Sequence, residues 1–201
     1  SKKMQGTKKV TNKYVDRLLN KLNNKTAVIG VVGLGYVGLP LAVEKAKAGY
    51  SVIGFDIQEV RVNQVNNGEN YIGDVVDNEL KELVNNKQLK ATTDYSLINE
   101  VDAVAICVPT PLDIYKQPDT SYVESSANEI AKYVKEGMLV VLESTTYPGT
   151  TEEIIKPTLE KSGLVCGENL FIAYSPERVD PGNKQFNTKN TPKVVGGITA
   201  N

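Results

Sequence analysis

Gly33-Leu34-Gly35-Tyr36-Val37-Gly38 stands directly behind the apolar run Ala27-Val28-Ile29-Gly30-Val31-Val32 and opens a small-residue segment, Leu41-Ala42-Val43-Glu44-Lys45-Ala46. This predicts a strand, a glycine turn and a helix N-terminus. Glycine is needed at Gly33 for the tight turn, at Gly35 so that the backbone can touch a pyrophosphate, and at Gly38 so that helix and strand pack closely. The helix N-terminus then holds the phosphates. A second apolar run, Ser51-Val52-Ile53-Gly54-Phe55, ends on Asp56, at the spacing of a carboxylate that takes ribose hydroxyls. A turn in an unrelated α/β protein is the competing reading, and strand, helix, strand and acid in register weigh against it. Asp56 favours NAD over NADP, since a carboxylate repels a 2′-phosphate. Arg61, five residues on, suits either a 2′-phosphate or the adenosine end of NAD.

The remainder alternates in the same way. Helices are predicted over Glu59 to Asn67, stopped by Gly68, over Asp77 to Asn86, and from Ser121 to about Glu136, opened by the capping box Ser121-Tyr122-Val123-Glu124 and stopped by Gly137. A further helix opens at Thr150-Thr151-Glu152-Glu153, where Pro157 predicts a kink or an early end. Strands are predicted at Leu89 to Thr93, Asp102 to Val108, Met138 to Leu142 and Leu170 to Tyr174, with a Pro-rich loop from Pro109 to Pro118. The fold class is therefore α/β, a doubly wound parallel sheet with ligands at the carboxyl ends of the strands. After Asp180 the chain turns polar, as a cofactor domain does where a second domain should start.

Composition excludes several chemistries. The chain has 201 residues, no histidine and a net charge of -1, so a histidine base, a Ser-His-Asp triad and a histidine metal site are all ruled out within it. None of the ten tyrosines is followed by lysine four residues later, against a short-chain dehydrogenase. Cys107, in an apolar strand, and Cys166, in a loop, lack metal-ligand spacing and are read as structural thiols of a reducing compartment. No metal and no nucleic-acid partner are expected. No run approaches about 20 apolar residues, and no signal peptide is visible, so a cytoplasmic parent without membrane contact is expected. Basic residues crowd the first 25 positions around the single acid Asp16. Val15, Leu18, Leu19 and Leu22 fall there at helical spacing, which predicts a solvated tail with a surface helix.

Three strand-end loops complete the pattern: Val108-Pro109-Thr110-Pro111-Leu112-Asp113, Glu143-Ser144-Thr145-Thr146-Tyr147-Pro148-Gly149-Thr150 and Ser175-Pro176-Glu177-Arg178-Val179-Asp180-Pro181-Gly182-Asn183. With Gly33 to Ala42 they closely resemble the UDP-glucose/GDP-mannose dehydrogenase family, and within it the UDP-N-acetylhexosamine 6-dehydrogenases, in particular the UDP-N-acetylglucosamine branch. The resemblance implies a Rossmann-type domain, NAD as cofactor, and oxidation of a sugar C6 alcohol to a carboxylate in two hydride transfers through a cysteine thioester. UDP-N-acetylmannosamine and UDP-glucose are the alternative substrates. It carries cofactor binding onto Gly33, Gly35, Tyr36, Val37, Gly38, Asp56, Arg61, Pro109, Thr110 and Thr145. Catalytic roles fall on Glu177 and Thr145, and substrate contacts on Glu177, Arg178 and Val179. It further implies a UDP-sugar substrate and a homo-oligomeric parent. Residues 1–24 are expected to form a helical extension and 25–201 the NAD-binding domain, with the family's central helix, cysteine motif and UDP-binding domain absent. A hydroxyacid-type dehydrogenase and a stand-alone NAD-binding module are the competing readings.

Overall fold

The computed structural model describes residues 12–73, 75–143 and 148–175, with the side chains of 148–152 excepted. Its centre is a six-stranded parallel sheet: β1 (Val28–Val32), β2 (Ser51–Phe55), β3 (Leu89–Thr92), β4 (Ala103–Ile106), β5 (Met138–Leu142) and β6 (Leu170–Tyr174). The spatial order is β3-β2-β1-β4-β5-β6. The order reverses between β1 and β4, and there the strand ends diverge to leave a crevice. This is the doubly wound, Rossmann-type sheet that the alternating pattern predicts. Apolar residues fill both faces because helices cover both. One cluster joins Val31 and Leu39 to Leu80 and Leu83, and the other joins Phe55 and Ile106 to Ala127 and Ile155.

The helices are α1 (Lys13–Asn23), α2 (Gly38–Lys47), α3 (Glu59–Asn66), α4 (Asp77–Asn85), α5 (Ser121–Tyr133) and α6 (Pro148–Glu160). Helix α1 is more than a surface helix on a solvated tail. Asn12 caps it through bonds from the Tyr14 and Val15 N–H groups at 2.9 and 3.4 Å, and Leu18 is buried. At the amino ends of the strands Lys21 and Lys135 lie 3.1 and 3.5 Å from Asp102, whose other oxygen accepts from the Val28 N–H at 2.8 Å. Burial alone would raise the Asp102 carboxyl. The Val28 amide and the two ammonium groups outweigh it and hold that carboxyl below the usual aspartate range.

Several local expectations are corrected. The capping box at Ser121 is not made: Thr120 is the cap residue without a side-chain bond, and Asp119 instead accepts from the Ser121 N–H at 2.9 Å. Helix α5 ends at Tyr133, short of Glu136, because Val134 turns extended. Gly137 is not a helix stop; it has φ +85°, and a Cβ there would lie 2.9 Å from Tyr14 Cδ1, so it seats α1. Helix α6 starts at Pro148, whose fixed φ suits a first turn, and continues past Pro157 to Glu160. Strand β4 ends at Ile106, leaving Cys107 beyond it. A 3₁₀ turn at Tyr95–Glu100, unforeseen in the sequence, is started by Asp94, which accepts from the Ser96 N–H at 3.0 Å.

Candidate functional site

The glycine turn sits at the crevice, and each glycine meets a different constraint. Gly33 has φ +92°, and a Cβ there would come 2.9 Å from the Cys107 carbonyl oxygen. At Gly38 the same atom would fall 1.6 Å from the Gly33 carbonyl oxygen, so the first turn of α2 rests directly on the loop. Gly35 is the opposite case. Its Cβ would meet only Arg61 Nη1, at 3.9 Å, so the space over this peptide is open to a ligand. Helix α2 has no side-chain cap and no acid in its first turn, which leaves its positive end to whatever anion enters that space.

Asp56 organises the loop. It is only 5% exposed, and its Oδ2 accepts from the Leu34 N–H at 2.8 Å and faces Arg61 Nη1 at 3.3 Å. Its Oδ1 accepts from the Gln58 N–H at 2.9 Å. The Tyr71 hydroxyl donates to the Leu34 carbonyl at 2.6 Å, so the Leu34 peptide is held at both ends. Burial pushes the Tyr71 phenol well above its ordinary value, despite the nearby Arg61 guanidinium; the phenol therefore stays a donor. Arg61 lies 5.7 Å from the Tyr71 ring centre. Tyr71 carried no sequence signal: it lies outside any motif, and only the folded chain brings it to Leu34.

A cleft of about 330 Å³ opens above this frame. It gathers Gly33, Gly35, Tyr36, Val37, Asp56, Arg61 and Pro109 from the expected set. Gly38 lies beneath the turn, and Thr110 is half-buried beside Pro109 but does not line the cleft. Thr145, Glu177, Arg178 and Val179 lie outside the described residues. The opposite wall was not foreseen: Tyr95 comes from the 3₁₀ turn, and Tyr122, Ser125, Ser126 and Glu129 from α5. Periodicity marks the inner face of α5 but not which polar residues overhang a cleft. Cys107, expected in a strand interior, lies at the cleft floor and is 7% exposed. Cys166 is away from the cleft, and its thiol is pushed up to about 12 by burial and by Glu160, so it is a poor nucleophile at neutral pH.

The donors and spaces fit a dinucleotide: an open peptide and a bare helix end for the pyrophosphate, then a carboxylate for the adjoining ribose. Comparison with known proteins agrees. Residues 27–201 match the profile described as "UDP-glucose/GDP-mannose dehydrogenase family, NAD binding domain". The chain is 42% identical over 176 residues to a UDP-N-acetyl-D-glucosamine 6-dehydrogenase of Pseudomonas aeruginosa, covering 87% of this chain and 41% of that protein. It is 41% identical over 175 residues to a UDP-N-acetyl-D-mannosamine dehydrogenase of Methanococcus maripaludis, covering 85% of this chain and 38% of that one. Among solved structures, an NDP-N-acetyl-D-galactosaminuronic acid dehydrogenase of Methanosarcina mazei superposes with a TM-score of 0.74 at 36% identity, covering 84% of this chain and 38% of that chain. The chain thus spans about two fifths of the length of these relatives.

Proposed function

The chain belongs to the UDP-glucose/GDP-mannose dehydrogenase family as its NAD-binding domain, and from that premise we propose that it serves oxidation of the C6 alcohol of a UDP-N-acetylhexosamine to the uronic acid. UDP-N-acetylglucosamine is the substrate we favour, on the Ser175 to Asn183 loop sequence; relatives of comparable identity act on UDP-N-acetylmannosamine, so turnover has to separate the two. In this reading residues 25–201 supply the cofactor half and the sugar contacts of Glu177, Arg178 and Val179, and the thiol nucleophile and the rest of the sugar site come from outside them.

Bound NAD supplies the hydride acceptor. The chain's own residues place it. The Gly35 peptide and the α2 N-terminus take the pyrophosphate, and Asp56, still with lone pairs to offer, accepts from the ribose hydroxyls. Arg61, held on Asp56, lies along the adenosine side. Thr110 and Thr145 orient the nicotinamide end by hydrogen bonding, and Glu177 is the general base for the water that releases the acid, with Arg178 and Val179 beside the sugar. Asp56 at the rim of the open Gly35 peptide is the observation that carries this reading. Calorimetry tests it: NAD is expected to bind at least tenfold tighter than NADP, about 1.4 kcal/mol. Equal or tighter binding of NADP would remove Asp56 from the ribose and turn Arg61 into a phosphate ligand.

A further inference from the structure

Leu34 is fixed as far as its Cα from two directions. Its N–H donates to Asp56 Oδ2 at 2.8 Å, and its side chain, fully buried, rests on β2, where a Cβ at Gly54 would come 2.7 Å from Leu34 Cδ2. Neither contact fixes the peptide that follows. The Leu34–Gly35 unit turns about ψ of Leu34 and φ of Gly35, and glycine removes most of the steric resistance to that rotation. Tyr71 supplies the resistance. Its hydroxyl donates to the Leu34 carbonyl at 2.6 Å, and since a trans peptide points its N–H opposite to its carbonyl, the same bond sets where the Gly35 N–H is aimed. Gly35 lines the cleft, whereas Tyr71 and Leu34 do not, so the hydroxyl acts from behind the turn. Among the described residues the Gly35 N–H has no acceptor. Tyr71 is itself held in place: Asn70 Oδ1 accepts from the Ile72 N–H at 2.8 Å, and Asn70 Nδ2 donates to the Val75 carbonyl.

We propose that Tyr71 is a positioning residue for cofactor binding, holding the Leu34–Gly35 peptide with its N–H aimed at the pyrophosphate of the dinucleotide. The inference rests on the NAD-binding reading above and extends it to a residue that does not touch the ligand. Burial keeps the phenol protonated, so its single proton stays available to the Leu34 carbonyl. A carbonyl that accepts such a bond also polarises its peptide, which makes the N–H on the other side a stronger donor. Without the hydroxyl the peptide visits orientations whose N–H misses the phosphate. The apparent affinity then falls by the fraction of chains that still present the competent one.

Titration of the 15N-labelled 201-residue chain with NAD, followed by nuclear magnetic resonance, tests this because it reads the affinity and the Gly35 amide together. In wild-type protein the Gly35 amide proton is expected to move downfield as NAD binds, the sign of a new bond to a charged acceptor. Tyr71→Phe keeps the ring and removes one oxygen. It is expected to raise the NAD Kd about 3- to 10-fold, the range of one hydrogen bond. Before NAD is added it is expected to shift the Gly35 amide more than the Leu34 amide, which Asp56 still holds. Tyr14→Phe removes a hydroxyl bonded to Glu136 at 2.7 Å, at the opposite end of the sheet, and is expected to leave both readings as in wild type. A merely structural Tyr71 would lower the urea midpoint and leave the Kd of the folded chain unchanged. A Kd within twofold of wild type in Tyr71→Phe, an equal rise in Tyr14→Phe, or a Leu34 shift as large as that of Gly35 overturns the assignment. So does wild-type protein that binds NAD with its Gly35 amide unmoved, which needs no variant to fold. Wild-type protein that does not bind NAD overturns the NAD-binding reading itself.

Discussion

At the scale of single residues, the glycines of the turn make opposite demands that substitution separates. Gly38→Ala places a methyl group 1.6 Å from the Gly33 carbonyl oxygen, a backbone clash with no soft neighbour to yield. A loss of about 3 kcal/mol or more is expected, visible as a large drop in the urea midpoint. Gly35→Ala meets only Arg61 Nη1 at 3.9 Å. Its midpoint is expected to stay close to wild type while NAD affinity falls about tenfold or more, since the methyl group enters the space kept for the pyrophosphate. Equal destabilisation by both would show that Gly35 is a structural glycine. The glycines and Asp56 were legible in the sequence because local spacing alone sets their geometry. Tyr71 and Glu129 were not: tertiary packing brings the first to the turn, 37 residues from Leu34, and the second to the cleft wall.

At the scale of elements, strand positions and the doubly wound parallel class followed from apolar runs and alternation, which burial on both faces imposes; the order of the strands within the sheet came only with the structure. Helix ends were harder to read. Ser121 and Gly137 carry the right residue types for cap and stop, yet Asp119 takes the Ser121 amide and Gly137 makes room for Tyr14. Competing local partners decide such details. Helix α1 shows the same limit: its stripe of apolar residues was visible, but its docking through Asp102 was not. Asp102→Asn is expected to cost about 1–2 kcal/mol at pH 7, a charge-assisted network discounted for the partly exposed lysines. The sign with pH follows from the lowered carboxyl. That stabilisation is complete above the unfolded aspartate value of about 3.9 and is lost as pH falls through the lower folded value. Urea unfolding should therefore show the gap between Asp102→Asn and wild type closing below about pH 4. A gap independent of pH would mean that the network contributes no ionic stabilisation.

At the scale of the whole molecule, the chain spans about two fifths of its relatives' length, and the chemistry assigned to it is divided accordingly. Alone, it is expected to bind NAD yet form no NADH with UDP-N-acetylglucosamine, UDP-N-acetylmannosamine or UDP-glucose. Cys107 sits beneath the glycine turn, its carbonyl against Gly33, and the Cys166 thiol is held protonated. Sustained turnover that survives replacement of both cysteines by serine would overturn the thioester route. In a protein that also contains the sugar-binding half, Glu177→Gln is expected to lower kcat by about 100-fold or more while leaving NAD affinity within threefold, the signature of a lost base. A near-normal kcat would make Glu177 a bystander of the loop.

The ribose contact proposed for Asp56 has a consequence for anyone who would redesign this protein. Cofactor exchange is usually sought by neutralising the ribose-binding acid to admit a phosphorylated dinucleotide. Here that acid also fastens the Leu34 amide and Arg61, so the variant that stops rejecting the new cofactor also loosens the loop needed to hold it. Recognition and scaffold would have to be changed together, with a replacement acceptor for the Leu34 N–H installed before Asp56 is removed, and a lineage drifting one substitution at a time would meet the same obstacle.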